Sequence, residues 1–400
     1  MEWKEVTLGD LCEISSSKRI FAKEYQSDGV PFYRGKEIIA KQKGNAISNE
    51  LFISRNRYEE IKARYGVPQQ RELLLTSVGT LGVPYVIKEE DFYFKDGNLT
   101  WFRHFNGLDV EYLYYWFLSP YGKNEINTKA IGSTQKALTI DSLSKFDIKI
   151  PANLDDQRRI ASILSSLDRK IELNNKINAD LEEMAQAIFK NWFVDFEPFK
   201  DGKFVDSELG MIPEGWKVVV FDNILKVTTT KTGKEGISEY SVTNTGIHPR
   251  DEKFTKNLSK SSAKNKLIRK GNLVFGMSRE ILNWGIMKEE VGGVSSAYNV
   301  YLVDEKIVNT TYLECFIAQR MDYFADLIKP ASREGQGVDK ALLMKKIICI
   351  PPSEVMDVFL EKYNSIMHLT EIRNQESSRL SLLRDTLLPR LMSGELEVPE

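Results

Sequence analysis

The chain runs twice into the same unit: a short apolar strand, a proline turn and a long helical run. The first copy is "DIKIPANLDDQRRIASILSSLDRKIELNNKIN" (Asp147–Asn178), the second "IICIPPSEVMDVFLEKYNSIMHLTEIRNQ" (Ile347–Gln375). Shorter echoes keep the same order. Trp3-Lys4 returns as Trp216-Lys217, and Lys88-Glu89-Glu90 as Lys288-Glu289-Glu290. Tyr112-Leu113 returns as Tyr312-Leu313, Lys136-Ala137-Leu138 as Lys340-Ala341-Leu342, "IKIP" as "ICIP", and Asn174 as Asn374. The displacements are 213, 200, 200, 204, 200 and 200 residues. Repeats in one order with small shifts indicate a duplicated plan, globular part then helix, twice. The boundaries read as 1–151 globular, 152–200 helical, 201–351 linker and globular, and 352–400 helical. "EPFKDGKFVDSELGMIPEGW" (Glu197–Trp216), rich in Pro and Gly, reads as the linker.

The helical runs carry a seam. Ile160, Leu164, Leu167 and Ile171 step by fours and threes, then Asn174 and Asn178, then Leu181, Ala185, Ile188 and Trp192. The second run offers Ile366, Leu369, Ile372, Leu380, Leu383 and Leu387. About 40 residues at 1.5 Å each make about 60 Å of helix, longer than a small domain covers. Each run therefore needs a partner of similar length, and the other run is the natural one. A polar residue at a seam position sets register at some loss of stability. The alternative is that each helix packs only on its own domain. The fold class expected is α+β: two globular mixed α/β domains separated by two long antiparallel coiled-coil helices, with a pseudo-two-fold internal repeat.

In the globular parts "RELLLTSVGTLGVPYVI" (Arg71–Ile87) reads as strand, turn and strand, with "NLVFGMSREILNWGIM" (Asn272–Met287) as its counterpart. The loops are rich in hydroxyl, amide and cationic side chains, which can reach phosphates and base edges. The candidates for DNA contact are Lys18 and Arg19; Thr76, Ser77 and Thr80; Ser133, Thr134, Gln135 and Lys136; Lys231 and Lys234; Ser278 and Arg279; and Arg333, Gln336 and Lys340. For any one loop the alternative is an ordinary solvated turn. Net charge is −2, which argues against a protein that coats DNA alone and leaves room for a reader with a basic face.

Several chemistries lack their signatures. There is no phosphate-binding "GxxxxGK[ST]", no Gly-rich dinucleotide loop, no "NPPY" or "DPPY", and no GxSxG. His104, His248 and His368 are scattered, as are Cys12, Cys315 and Cys349, so neither a zinc site nor a disulfide framework is expected. No stretch is long and apolar enough for a membrane span, and the N-terminus does not read as a secretory signal. A reducing cytoplasm is the default expectation.

"DDQRRIASILSSLDRKIELNNKINADLEEMAQAIFKNWFVDFEP" (Asp155–Pro198) resembles the central conserved region of type I restriction–modification specificity subunits. "SLLRDTLLPRLMSGEL" (Ser381–Leu396) resembles their C-terminal conserved end, and "VTLGDL" and "IPEGW" resemble the starts of their two target recognition domains. The resemblance implies that each globular domain reads one half of a split, asymmetric site on double-stranded DNA. It implies that the paired helices set the spacer and dock two copies of a methyltransferase subunit, with restriction subunits joining where present. S-adenosylmethionine, ATP and Mg²⁺ would belong to those partners, with no cofactor, metal or catalytic residue in this chain. Ile160, Leu164, Leu167, Ile171, Asn174, Asn178, Leu181, Leu380, Leu383 and Leu387 would serve helix pairing or partner docking. One departure stands out: Gln157 in "DDQRRI" has no counterpart in "PPSEVMDVF". Two other readings remain open, a single-chain nuclease with an acidic centre and a coiled-coil adaptor that no longer reads DNA.

Overall fold

The structure is a computed structural model describing residues 1–48, 50–132, 136–234, 236–250, 262–328 and 338–398. The α+β class holds. The chain divides into two compact units, Met1–Ile177 with Ile372–Glu400, and Asn178–Glu371. Each unit thus owns one globular part and a stretch of both long helices.

The first unit runs β1 (Trp3–Thr7), β2 (Glu13–Ser15), β3 (Tyr25–Gln26), β4 (Val30–Tyr33), α1 (Gly35–Gln42), β5 (Phe52–Ile53) and α2 (Arg55–Tyr65). It continues with β6 (Leu73–Thr76), β7 (Pro84–Val86), β8 (Tyr93–Phe94), β9 (Leu99–Arg103), α3 (Val110–Leu118), α4 (Pro120–Lys129), α5 (Ile140–Ser144), β10 (Asp147–Pro151) and the start of α6 (Leu154–Phe193). A four-stranded sheet has the order β2-β9-β6-β7, a second β3-β5-β4-β8, and β1 pairs with β10. Strands β6 and β9 are buried almost throughout, which explains their unbroken apolar runs. Asp109 caps α3 by accepting from the amides of Glu111 and Tyr112. Gly122 lets α4 fold back on α3, because a Cβ there would stand 2.7 Å from Phe117 Cα.

The second unit begins with the end of α6, then β11 (Phe204–Val205), β12 (Ile212–Pro213), β13 (Lys217–Val220), α7 (Phe221–Ile224), β14 (Leu225–Thr228), β15 (Tyr240–Thr243), β16 (Gly246–Pro249) and β17 (Lys266–Arg269). It continues with β18 (Leu273–Phe275), β19 (Trp284–Ile286), β20 (Val291–Val294), β21 (Asn299–Val303), α8 (Thr310–Gln319), α9 (Met321–Phe324), α10 (Lys340–Lys345), β22 (Ile347–Ile350) and α11 (Ser353–Ser393). Its four-stranded sheet has the order β14-β21-β18-β19, and β13 pairs with β22. This is the frame of the first unit over again. The tyrosine echo is structural: the Tyr112 hydroxyl donates to the Lys149 carbonyl at 3.3 Å and the Tyr312 hydroxyl to the Cys349 carbonyl at 2.5 Å. The lysine echo is not. Lys136 precedes the cap of α5, whereas Lys340 is the first residue of α10, so the two are not equivalent.

Within each unit the long helices run antiparallel. In the first, Asp168 of α6 meets Arg384 of α11 at 2.6 Å, and Asn174 meets Glu376 at 2.7 Å. In the second, Asn178 reaches the Thr370 carbonyl at 3.5 Å and Phe189 packs edge-on to Phe359. The expected seam of α6 is found from Ile160 to Ala185, with Asn174 fully buried. Beyond it Phe189 and Phe193 take the buried positions, and Ile188 and Trp192 are only half-buried. The seam of α11 needs correction. Leu369, Ile372 and Leu383 are 45–48% exposed and lie off it. The inward residues are Met356, Phe359, Tyr363, Ile366, Thr370, Arg373, Ser377, Leu380, Arg384, Leu387 and Leu391, again in steps of three and four. The middle of this seam is polar, so an apolar stripe could not trace it. Asn374 is exposed, and Arg373 holds the inward place nearest it.

Candidate nucleic-acid interface

Two copies of one frame carry the candidate loops. In the first, the β6–β7 turn is closed by Thr76. Its hydroxyl donates to the Thr80 carbonyl at 2.6 Å and accepts from the Val83 amide at 2.9 Å. Ser77 shares a 2.6 Å bond with the Thr100 hydroxyl. Both Thr76 and Ser77 are buried, which corrects their reading as groups free to meet DNA. Thr80 is exposed on the same turn. In the second frame Ser278 is likewise buried and accepts from the Asn283 amide at 2.8 Å, so it fastens the β18–β19 turn from which Arg279 is exposed. The Thr76 and Ser278 hydroxyls satisfy backbone donors that a tight turn leaves unpaired.

Lys18 and Arg19 are exposed. Arg19 is held by Asp96 at 2.8 Å, and the Lys18 ammonium lies 4.7 Å from the centre of the Tyr65 ring. Lys136 is exposed beside the bridge between Ile131 and Ala137, and Ser133, Thr134 and Gln135 lie outside the described residues. In the second unit Lys231, Lys234 and Lys340 are exposed, while Arg333 and Gln336 lie outside the described residues. Lys231 bridges to Lys266, a residue the loop chemistry did not single out because it sits in a strand. Burial, with the charge of Lys340 nearby, holds the Lys266 ammonium below its ordinary range. The charges of Lys266 and Lys340 are therefore close enough to act on each other.

The helices offer a different surface. Ile160 and Leu164 are buried in the first core with Leu388 and Leu391 of α11, and Leu387 packs against that core. Leu167, Ile171, Asn178, Leu181 and Leu380 are half-buried along the seam. The Asp168 carboxylate accepts from Arg384 and from the Tyr115 hydroxyl at 2.7 Å, joining both helices to α3. Leu173, Leu382 and Leu383 point outward, with Leu382 70% exposed.

Burial pushes the thiols of Cys12, Cys315 and Cys349 up to about 12. Among the described residues no group of three His, Cys, Asp or Glu side chains is arranged to hold a metal ion, and no helix is long and apolar enough to cross a membrane.

Residues 1–183 match the family described as the type I restriction modification DNA specificity domain. The chain is 27% identical to the type I restriction enzyme MjaIX specificity subunit of Methanocaldococcus jannaschii, over all of this chain and 94% of that one. Its fold matches the type I restriction–modification S subunit of M. genitalium with a TM-score of 0.58 at 12% identity, covering 98% of this chain and 96% of that one. It also matches a chain from a structure describing complex assembly and conformational transition of the type I R-M system, with a TM-score of 0.53 at 14% identity and 98% of each chain covered. Residues 1–183 thus match the type I DNA specificity domain family, and the whole chain is similar in sequence to a type I restriction enzyme specificity subunit and in fold to a type I S subunit.

Proposed function

We propose that each globular half reads one half of a split, asymmetric sequence on double-stranded DNA. The paired helices set the unread spacer and dock two methyltransferase subunits, which methylate adenine at N6; restriction subunits join the complex where the system has them. The chain contributes recognition and assembly, and S-adenosylmethionine, ATP and Mg²⁺ belong to its partners. The observation that carries this reading is the repeated sheet order, β2-β9-β6-β7 and β14-β21-β18-β19, each frame ending in a strand that leads into a long helix. One binding design made twice in one chain suits a site with two parts. The outward leucines of the helices support the docking role, since exposed apolar groups on a polar helix mark contact surfaces.

The test is a genome-wide map of adenine methylation in cells expressing this chain with its methyltransferase subunit, against the methyltransferase subunit alone. A new split motif on both strands is expected. An assembled complex that writes no new motif would leave assembly standing and remove recognition. Inserting four residues beside Asn174 should change the spacer and leave the half-site bases as they were; altered half-sites would sink the role of the helices as a ruler.

A further inference from the structure

The two halves share a frame and differ between its first and second strands. Between the first and second frame strands the first half carries β3, β4, α1, β5 and α2, and its three strands join β8 in a second sheet. At the same place the second half carries the β15–β16 hairpin and β17, which pairs with β20, and among the described residues these form two-stranded sheets in place of a four-stranded one. A subunit that reads two unlike half-sites with one frame has to differ where bases are read. Groups that only hold phosphates can be common to both. We infer that the sequence-reading surface of the first half is the insert between β2 and β6, and that its DNA-facing part is the last turn of α2 with the loop from Lys18 to Phe21. This rests on the reading of the chain as a two-part DNA reader.

The geometry supports that assignment. Helix α2 buries Tyr58 and Ile61, which turns Lys62, Arg64 and Tyr65 outward. Tyr65 is 48% exposed and Phe21 56%. Lys18 over the Tyr65 ring brings the loop and the helix end together. The loop is anchored behind this surface: the Ser17 hydroxyl donates to the Phe94 carbonyl and the Lys18 amide to the Tyr93 hydroxyl, both at 2.7 Å. Arg55 and Arg57 are engaged by Asp91, Glu24 and Glu60, so they seat the helix. The Tyr58 hydroxyl donates to Asp91, and burial together with that carboxylate pushes it up to about 12, keeping it a neutral donor. What remains outward is cations interleaved with aromatic rings on a seated platform. Cations suit phosphates, and ring faces and edges suit sugars and base methyl groups.

The experiment is methylation mapping with the intact complex carrying Lys62→Ala/Arg64→Ala/Tyr65→Ala, Arg64→Ala alone, or Phe21→Ala. Lys136→Ala, in the frame, is run alongside. The expected result is relaxed base preference in one half of the motif, the other half unchanged, with methylation of the cognate site down about tenfold. Lys136→Ala should lower methylation at all sites evenly. An unchanged motif in the α2 variants, with even loss everywhere, would assign the surface to phosphates alone and overturn the inference. An unchanged motif with weaker complex assembly would assign it to a protein partner, with the same consequence. If the unaltered complex writes no split motif, the two-part reading itself falls.

Discussion

Where α6 leaves the first globular half the joint is closed by an amide, and where α11 leaves the second it is closed by aromatic rings. Gln157 is fully buried. Its Nε2 donates to the carbonyls of Gly107 and Pro151 at 3.0 and 2.9 Å, and its Oε1 accepts from the Asp109 amide at 2.8 Å. One side chain thus fastens the end of β10, the loop before α3 and the helix. Three residues before the next seam position of α11 stands Met356, buried beside Phe359. There the joint is a cluster in which the Phe193 ring lies 4.8 Å from Phe359, 5.0 Å from Tyr312 and 5.7 Å from Trp216. An amide joint is directional and depends on all of its bonds being made. A ring cluster is larger and tolerates small shifts, because its stabilisation comes from buried area. The frame was kept while the chemistry closing it was exchanged, so the departure at Gln157 changes the kind of joint and not its place.

The largest effect should come from the ring cluster. Phe193→Ala should destabilise the second unit by about 3–5 kcal/mol, read from its denaturant midpoint. A loss under about 1 kcal/mol would mean the rings fill space without holding the joint.

The amide joint should answer differently. Gln157→Ala should lose about 1–3 kcal/mol, since it strands the buried Asp109 amide and two carbonyls. Gln157→Met, which imitates the second half, should be no better, because the stranded groups remain. The reciprocal Met356→Gln should destabilise as well, by placing an amide where the surroundings are apolar. If either exchange were neutral in thermal or chemical unfolding, the two joints would be interchangeable and the comparison would fail.

The polar middle of the first unit gives a pH-dependent test. The hydrogen bond from Asn174, against an opposing effect of burial and helped by the ammonium of Lys170, holds the Glu376 carboxyl below its ordinary range. Its contribution is therefore present above the unfolded value, about 4.3, and is lost as pH falls through the lowered folded value. Glu376→Gln should flatten that part of the acid limb, and Asn174→Ala should raise the Glu376 titration seen by NMR. A carboxyl that titrates normally in the unaltered protein would remove the bond.

How much of this was legible follows from what each region repeats. The α6 seam could be read because Ile160, Leu164, Leu167 and Ile171 are apolar at regular steps. The α11 seam could not, because Thr370, Arg373, Ser377 and Arg384 occupy its inward places while Leu369, Ile372 and Leu383 face out. The frames were legible through their tyrosines and closing strands. The loop hydroxyls misled, because Thr76, Ser77 and Ser278 look like surface donors in sequence and become turn fasteners once a hairpin forms around them. The α2 platform could not be found through the repeats, since none of the repeated residues falls in it.

The smallest effect on stability should come from the leucines that the corrected seam leaves outside. Leu382→Ser/Leu383→Ser should change the unfolding midpoint by less than about 0.5 kcal/mol, because neither side chain belongs to a core. Arg384→Ala, one residue on, should lose about 1 kcal/mol through Asp168, an amount that shrinks in salt because the pair is partly exposed. The same double variant should weaken binding of the methyltransferase subunit about tenfold, measured by titration against the labelled chain, if these leucines are contact residues in the assembled complex. A helix residue that leaves folding alone and changes assembly belongs to the docking face. One that changes folding and leaves assembly alone belongs to the seam. The pair Leu383 and Arg384 should fall on opposite sides of that division, and a matching result at both positions would mean that the two faces of α11 are not separate surfaces.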